Sequence, residues 1–361
     1  MNRTINILVA VILLIFSAAP EIYSQSLREE RDKYTLLTMP YNMRPLTLYR
    51  GQLKADAGYK FAVKGRKFDN DGNPVQLRTS GTGSVYHYYF ADIRYGLLDF
   101  VELGAETSYI RHGVRSESVT YTSVSLTSAE RVTVNQLKEI KGFSDILFNA
   151  TVRLPIKYKW FDLSAKGGIY VPSAEYKQEK PEHRITNITA ADSYTVNYKY
   201  NYTNGFGVPV YLLASQVKFT FRKLSLQAGL TFRTPAREGT SIRWEENLVE
   251  KTFIYYDQSY KYLLSDAWFA DLAVHYQATG WFDIFVNVSR EKTTGGWTEY
   301  WGNKYKNRET ELIMIEPCFE LQISPSLTVC QNAGFPVAGK NSDAPFYLFT
   351  TIRFSNFPFF R

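Results

Sequence analysis

The feature that most constrains this chain is a two-residue rhythm that returns along most of its length. Leu53, Ala55, Ala57, Tyr59, Phe61 and Val63 alternate with Lys54, Asp56, Gly58, Lys60 and Lys64. Much later, Leu224, Leu226, Ala228, Leu230 and Phe232 alternate with Ser225, Gln227, Gly229, Thr231 and Arg233. An apolar residue at every second position describes a β-strand with one apolar and one polar face. Such segments lie near 52–64, 84–95, 99–111, 143–154, 160–171, 204–218, 222–235, 265–277, 281–291, 310–323, 326–336 and 346–357. Each runs for about 11–15 residues, beyond the 5–6 usual in soluble sheets, and enough to cross a bilayer at a tilt.

The connections decide between a soluble sandwich and a membrane barrel, because they alternate between long and short. The first is long and passes through Asn70-Asp71-Gly72; the second is only Gly96-Leu97-Leu98. A long stretch then precedes Phe143, Pro155 to Lys159 is short, and Pro172 to Asn201 is long. A tight reversal near Thr220 follows, then long Ala236–Leu264, short Ala278-Thr279-Gly280, long Glu291–Glu309 and short Ser324-Pro325. An all-β, up-and-down antiparallel transmembrane barrel of about twelve strands predicts this order, with short periplasmic turns and long extracellular loops. Alternating stretches inside the loops, such as Val119–Thr122 and Phe253–Tyr256, extend the strands or add a hairpin and raise the count to fourteen. Pro209 and Pro317 fall inside segments six and ten, where a closed sheet needs every backbone donor, so they mark bulges or displaced boundaries.

The two faces of these strands differ in chemistry. Ile146, Phe148, Ala150, Val152 and Leu154 on one segment, and Phe282, Ile284, Val286 and Val288 on another, form faces that lipid can cover. The opposite faces carry Asp56, Asp92, Arg94, Glu102, Glu106, Asp145, Arg153, Asp162, Lys166, Arg233, Asp271, Asp283, Glu316, Glu320 and Arg353. Charges of that number are too costly to bury in a sandwich core, and fit a polar lumen that contains water or ion pairs. Paired carboxylates such as Glu102/Glu106 and Glu316/Glu320 lie about 13 Å apart along one strand, too far for joint acid–base work. Partners for Arg94, Arg153 and Arg353 are the expected role, and the same charges could select a solute.

Aromatic residues make up 16% of the chain, with 27 Tyr and 24 Phe. Trp160, Phe161, Trp281, Phe282 and Phe357 cluster at the short-turn ends, and Tyr109, Trp268 and Phe346 nearer the long-loop ends. These are the positions of the two interfacial girdles of a membrane barrel. The closing Phe357, Phe359 and Phe360 look like a signal for the barrel-assembly machinery, although Arg361 follows them.

The chain opens as an exported protein does. Asn2 and Arg3 precede an apolar run from Ile5 to Ala19, and Ser24 suits the residue before a cleavage site. The expectation is a signal peptide over 1–24, a periplasmic segment or lumen plug over 25–50, and the barrel over 51–361. Net charge is +7, with cations scattered rather than clustered, which argues against a nucleic-acid partner.

Candidate chemistry is sparse. Cys318 and Cys330 fall on the polar faces of neighbouring segments, and a turn centred on Ser324 would set them directly opposite. Opposed Cβ atoms lie about 4.5–5.5 Å apart, a little wider than the ~3.8 Å of a disulfide, in a compartment that permits one. A disulfide and two small facing residues both remain open. His87, His112, His183 and His275 are dispersed, and no zinc, nucleotide or nucleophile-elbow motif occurs, so neither metal nor cofactor is expected. His87 points to the lipid side as a catalytic histidine of an outer-membrane phospholipase would, but no His-x-Ser-Asn-Gly sequence surrounds it. An enzyme is not expected.

Tyr95-Gly96-Leu97-Leu98-Asp99-Phe100-Val101-Glu102-Leu103-Gly104 resembles a strand–turn–strand of the family tied to meta-pathway phenol degradation, a set of proposed outer-membrane channels. Gly142-Phe143-Ser144-Asp145-Ile146 with Arg153-Leu154-Pro155, and Gly168-Ile169-Tyr170-Val171-Pro172-Ser173, resemble two further stretches of it. Leu98 stands where the family often has Thr, and Ser173-Ala174 replaces a Thr-Gly. The resemblance, best over 85–173, implies a barrel that passes small, often hydrophobic compounds. The reading is thus a passive channel in the outer membrane of a Gram-negative bacterium, whose partners are membrane lipid and a small solute. A closed structural or adhesive barrel acting through its loops is the alternative, and a lipid-modifying enzyme the distant third. Oligomeric state leaves no mark in the sequence.

Overall fold

The computed structural model describes residues 46–76, 83–124, 129–154, 160–173, 182–190, 193–203, 205–249, 252–324 and 326–355. The leader, most of 25–50, and the terminal aromatics from Phe357 onward lie outside these residues. In chain order the strands are β1 (Leu53–Phe68), β2 (Pro74–Gln76), β3 (Gly83–Leu98), β4 (Val101–Val124), β5 (Ala129–Phe143), β6 (Ile146–Arg153) and β7 (Phe161–Val171). They continue as β8 (Glu182–Ala190), β9 (Ser193–Thr203), β10 (Val210–Phe221), β11 (Leu224–Pro235), β12 (Gly239–Val249), β13 (Thr252–Leu263) and β14 (Asp266–Gln277). The last are β15 (Phe282–Thr294), β16 (Trp297–Tyr300), β17 (Asn303–Lys306), β18 (Thr310–Ser324), β19 (Leu327–Lys340) and β20 (Ser342–Ser355).

Twelve of these close a ring by antiparallel ladders: β1, β3, β4, β6, β7, β10, β11, β14, β15, β18, β19 and β20. The closing ladder joins β1 to β20, with Asp56 opposite Arg353 and Ala62 opposite Tyr347. A ring without an edge leaves no backbone donor facing hydrocarbon, and that requirement selects closure over an open sheet. The alternating loop segments stand above the ring rather than adding a hairpin to it. Val119–Thr122 prolongs β4, and Phe253–Tyr256 lies in β13, part of a separate sheet ordered β12-β13-β16-β17. Strands β5, β9 and β8 build a second extension at the same end, with β5 and β9 parallel.

The strand faces separate as the period-two pattern requires. Ile93, Leu103, Leu230, Leu272, Leu348 and Ile352 are exposed on the outside. Asp92, Glu102, Ser164, Lys218, His275 and Glu320, on the opposite parity, are buried. Ring pairs flank the apolar band. Trp160, Phe161 and Phe219 meet at the short-turn end, while Phe232–Trp268 (4.3 Å between centroids) and Phe335–Phe346 (5.3 Å) lie towards the long-loop end.

The two prolines behave differently. Segment six begins later than its alternation suggests, so Pro209 stands just before β10, where no ladder bond is needed. Pro317 does remain inside β18, opposite Val286 on one side. On its other side the pairing with β19 skips Glu316 and Pro317 without shifting register, and the nearest bulge lies at Ile313/Met314. The final long-loop connection is also tight, because β19 and β20 are joined through Asn341 alone, in the left-handed region at φ 49°.

Candidate functional site

The inside of the ring has two tiers. At the short-turn end the inner face is an ion-pair mesh. Arg353 bridges two strands, 3.1 Å from Asp56 Oδ1 and 3.1 Å from Glu320 Oε2. Lys54 adds a second cation 3.0 Å from Asp56. Arg94 lies 2.6 Å from Asp92 and 3.3 Å from Glu102, and Arg153 lies 3.9 Å from Asp162. Asp283 sits 4.0 Å from His275 Nε2. These pairings follow from register: Asp56 faces Arg353 and Asp92 directly, while Asp283 faces Glu320. Like charges placed opposite one another need a cation between them, and Arg353 and Lys54 supply it. Glu320 is only 2% exposed and Asp92 likewise 2%, so this tier is packed rather than lined with open water.

The chain that enters the barrel completes the same tier. The N–H of Leu46 donates to Asp162 Oδ2 at 2.8 Å, that of Leu48 to Glu102 Oε2 at 3.0 Å, and that of Arg50 to Asp99 Oδ1 at 3.2 Å. Thr47 and Tyr49 are buried, and the Arg153 guanidinium lies 5.3 Å from the centre of the Tyr49 ring. Gly96 is required here, because a Cβ at that position would run into the Tyr49 carbonyl.

Towards the long-loop end the lining turns aromatic. Phe90 and Phe349 meet edge to face at 6.0 Å, and Tyr86 stacks with Tyr88 at 5.8 Å. Tyr347, Met314, Ala62 and Tyr86 form a buried cluster against which Leu312 and Phe349 pack. Gly58 makes room for the Phe349 ring, which would lie 2.7 Å from a Cβ there. Lys60 Nζ stands 3.6 Å over the Tyr347 ring, a geometry in which the ring face attracts the cation. The charges at this level are fewer and wider apart. Glu316 accepts from Ser289 at 3.1 Å and from Asn287 at 3.4 Å, and Asp271 lies against Gly229. Arg233 stacks on Phe269 at 4.3 Å, with Glu291 3.8 Å away.

Between the tiers the wall bends at Ser144-Asp145. Below the bend β4 pairs with β6, above it with β5, and the register shifts by one residue. Ser144 and Ser108 bridge the break through main chain and hydroxyls, at 2.7 Å from Ser144 N to Ser108 O and 2.9 Å between the hydroxyl oxygens. Asp145 is not a strand residue but a clamp, accepting the N–H of Phe206 at 2.7 Å and of Ser173 at 3.2 Å. A cavity of about 270 Å³ opens beside it, walled by Phe90, Tyr170, Phe206, Glu106 and Asp145. Lys166 stands on the same inner face, opposite Thr151 and Ala214.

Cys318 and Cys330 are free thiols and are not opposed. Cys318 faces Asn332 and Cys330 faces Glu320, because the hairpin turns one residue later than a centre at Ser324 would have it. Each thiol instead contacts the residue across from it, Cys318 Sγ with Asn332 Oδ1 at 3.0 Å and Cys330 Sγ with Glu320 Oε2 at 3.3 Å. His87 lies on the outer face with the Tyr59 hydroxyl 2.6 Å from Nδ1, and its neighbours are the rings of Tyr59 and Phe61. The aromatic inner tier escapes a reading that looks for charge. Its signal is the run Tyr86-His87-Tyr88-Tyr89-Phe90, where both parities are aromatic and the inner set is therefore aromatic too.

No family model and no curated protein matches the sequence. Among solved structures, the chain is similar to an outer-membrane channel from Pseudomonas putida F1, at 12% identity and a TM-score of 0.57, covering 88% of this chain and 99% of that one. It also aligns with a mutant of the monoaromatic hydrocarbon channel TodX, at 8% identity, a TM-score of 0.46 and coverage of 89% and 94%. The first likeness shows a common barrel fold; the second is too loose for any residue correspondence.

Proposed function

We propose that this chain is a passive channel for small hydrophobic or aromatic compounds in the outer membrane of a Gram-negative bacterium. The export signal expected over 1–24 would bring it there, and the aromatic end of the chain would engage the barrel-assembly machinery. The observation that carries the reading is the graded lining of a closed ring. A solute arriving at the long-loop end meets rings and a cavity walled by Phe90, Tyr170 and Phe206, with Glu106 and Asp145 at its edge, before it meets the ion-pair tier. Aromatic walls favour apolar and planar solutes over sugars, since ring contacts add about 0.5–1.5 kcal/mol beyond burial. The Pseudomonas barrel is described as an outer-membrane channel, and the resemblance over 85–173 points the same way. Conductance in planar bilayers tests it: the full mature chain should give a reproducible open level, and lasting silence at all voltages would reject it.

A second reading, a closed barrel acting through its loops, draws on the density of the ion-pair tier, where Glu320 and Asp92 are each 2% exposed. It predicts silence in bilayers whatever is done to the inner face. Incubation with phospholipid, with and without calcium, checks the third possibility, since hydrolysis would mark an enzyme.

A further inference from the structure

We propose that Leu46–Gln52 is a strap that gates the short-turn mouth of the lumen, held shut by Asp162, Glu102 and Asp99. This rests on the channel reading, and deepens it by placing the gate.

A segment merely passing the mouth would leave its amides to water. Here three alternate main-chain N–H groups, of Leu46, Leu48 and Arg50, each donate to a different carboxylate from β7, β4 and the β3–β4 turn. The stretch bends at Leu46–Thr47 and closes a turn in which Gln52 N donates to Tyr49 O at 3.1 Å, and these three amides still end on wall carboxylates rather than on one another. Hydrogen bonds to charged acceptors are stronger than neutral ones. The base is fixed separately: Gly51 N donates to Gly96 O at 2.8 Å and Gly96 N to Gln52 O at 2.9 Å. The strap is thus hinged at Gly51, which has φ 79° and open space around it, while its free part is held by side chains that could release it.

Release need not wreck the wall. Were Glu102 and Asp162 shortened, Arg94 would keep Asp92 at 2.6 Å and Arg153 would keep the Asp99 carbonyl at 3.1 Å. The two carboxylates therefore serve the strap as much as the cations. A charged residue that holds both a cation and a main-chain donor gives the gate a second state, in which the strap swings out and the cations remain compensated.

The test uses the full chain with Thr47→Cys, a buried position on the strap, and follows reaction with a membrane-impermeant maleimide above the background from Cys318 and Cys330. Glu102→Ala with Asp162→Ala should speed labelling by about tenfold or more, the effect of losing one to two charge-assisted bonds, and should raise the open fraction in bilayers. Heat-modifiable migration on gels confirms that each variant is folded; if the double variant fails that control, Asp99→Ala, from the turn, is measured in its place. Unchanged labelling in a folded variant overturns the strap. Faster labelling with continued electrical silence upholds the strap and rejects the channel, so the two failures are distinguishable.

Discussion

The two tiers of the lumen use the same wall and solve different problems. In the short-turn tier carboxylates and cations pair across neighbouring strands, as Arg353 shows by joining Asp56 and Glu320. In the long-loop tier cations rest on rings, as Lys60 on Tyr347 and Arg233 on Phe269. Ion pairs out of water are worth little as a net gain but much once one partner is removed. Ring contacts are weaker and tolerate change. The short-turn tier should therefore behave as structure and the long-loop tier as a selective surface.

The largest expected effect comes from breaking the mesh. Arg353→Ala leaves Glu320 buried without its cation and should cost about 3–5 kcal/mol, read from urea unfolding in lipid vesicles. Lys60→Ala, its counterpart above, should cost about 0.5–2 kcal/mol in the same assay. Equal losses would erase the distinction between the tiers.

Next in size is Gly58→Val. Its side chain would enter the space of the Phe349 ring, and overpacking of this kind costs about 1–3 kcal/mol. Flux of aromatic solutes should fall more than flux of sugars, as measured by liposome swelling. Phe90→Ala is milder for the fold, removing one edge-to-face contact worth about 0.5–1.5 kcal/mol beyond burial, but should lower the preference for aromatic over sugar solutes in that assay.

The smallest effect lies outside the membrane. Asp69 caps the β1–β2 hairpin, its carboxylate held below the ordinary range by the N–H of Asn73 foremost, with those of Asp71 and Gly72. A depressed carboxylate stabilises the hairpin above its unfolded value, and the contribution is lost as pH falls through the lowered one. The Asn73 amide signal in micelles should therefore stay constant at neutral pH and move only in acid, and Asp69→Asn should abolish that step.

The wall was legible because lipid enforces strict alternation, so the parity of Leu226 or Asp271 could be read directly. Loop lengths supplied the topology for the same reason, short turns being the cheapest link between adjacent strands. The partners of Arg94 and Arg353 were less legible, because register depends on single residues at turns. A shift of one residue at Ser324–Ser326 moved Cys330 from Cys318 to Glu320. The aromatic tier stayed hidden since Tyr86–Phe90 shows no alternation at all, and the strap because no pattern in Leu46–Gln52 announces where its amides go.

The most direct measurement is liposome swelling with paired solutes of equal size, one a neutral aromatic and one a sugar. The two-tier account predicts faster entry of the aromatic, a gap that narrows in Phe90→Ala and stays in Glu102→Ala/Asp162→Ala while both rates rise. Equal rates for the two solutes in the unmodified protein would contradict it.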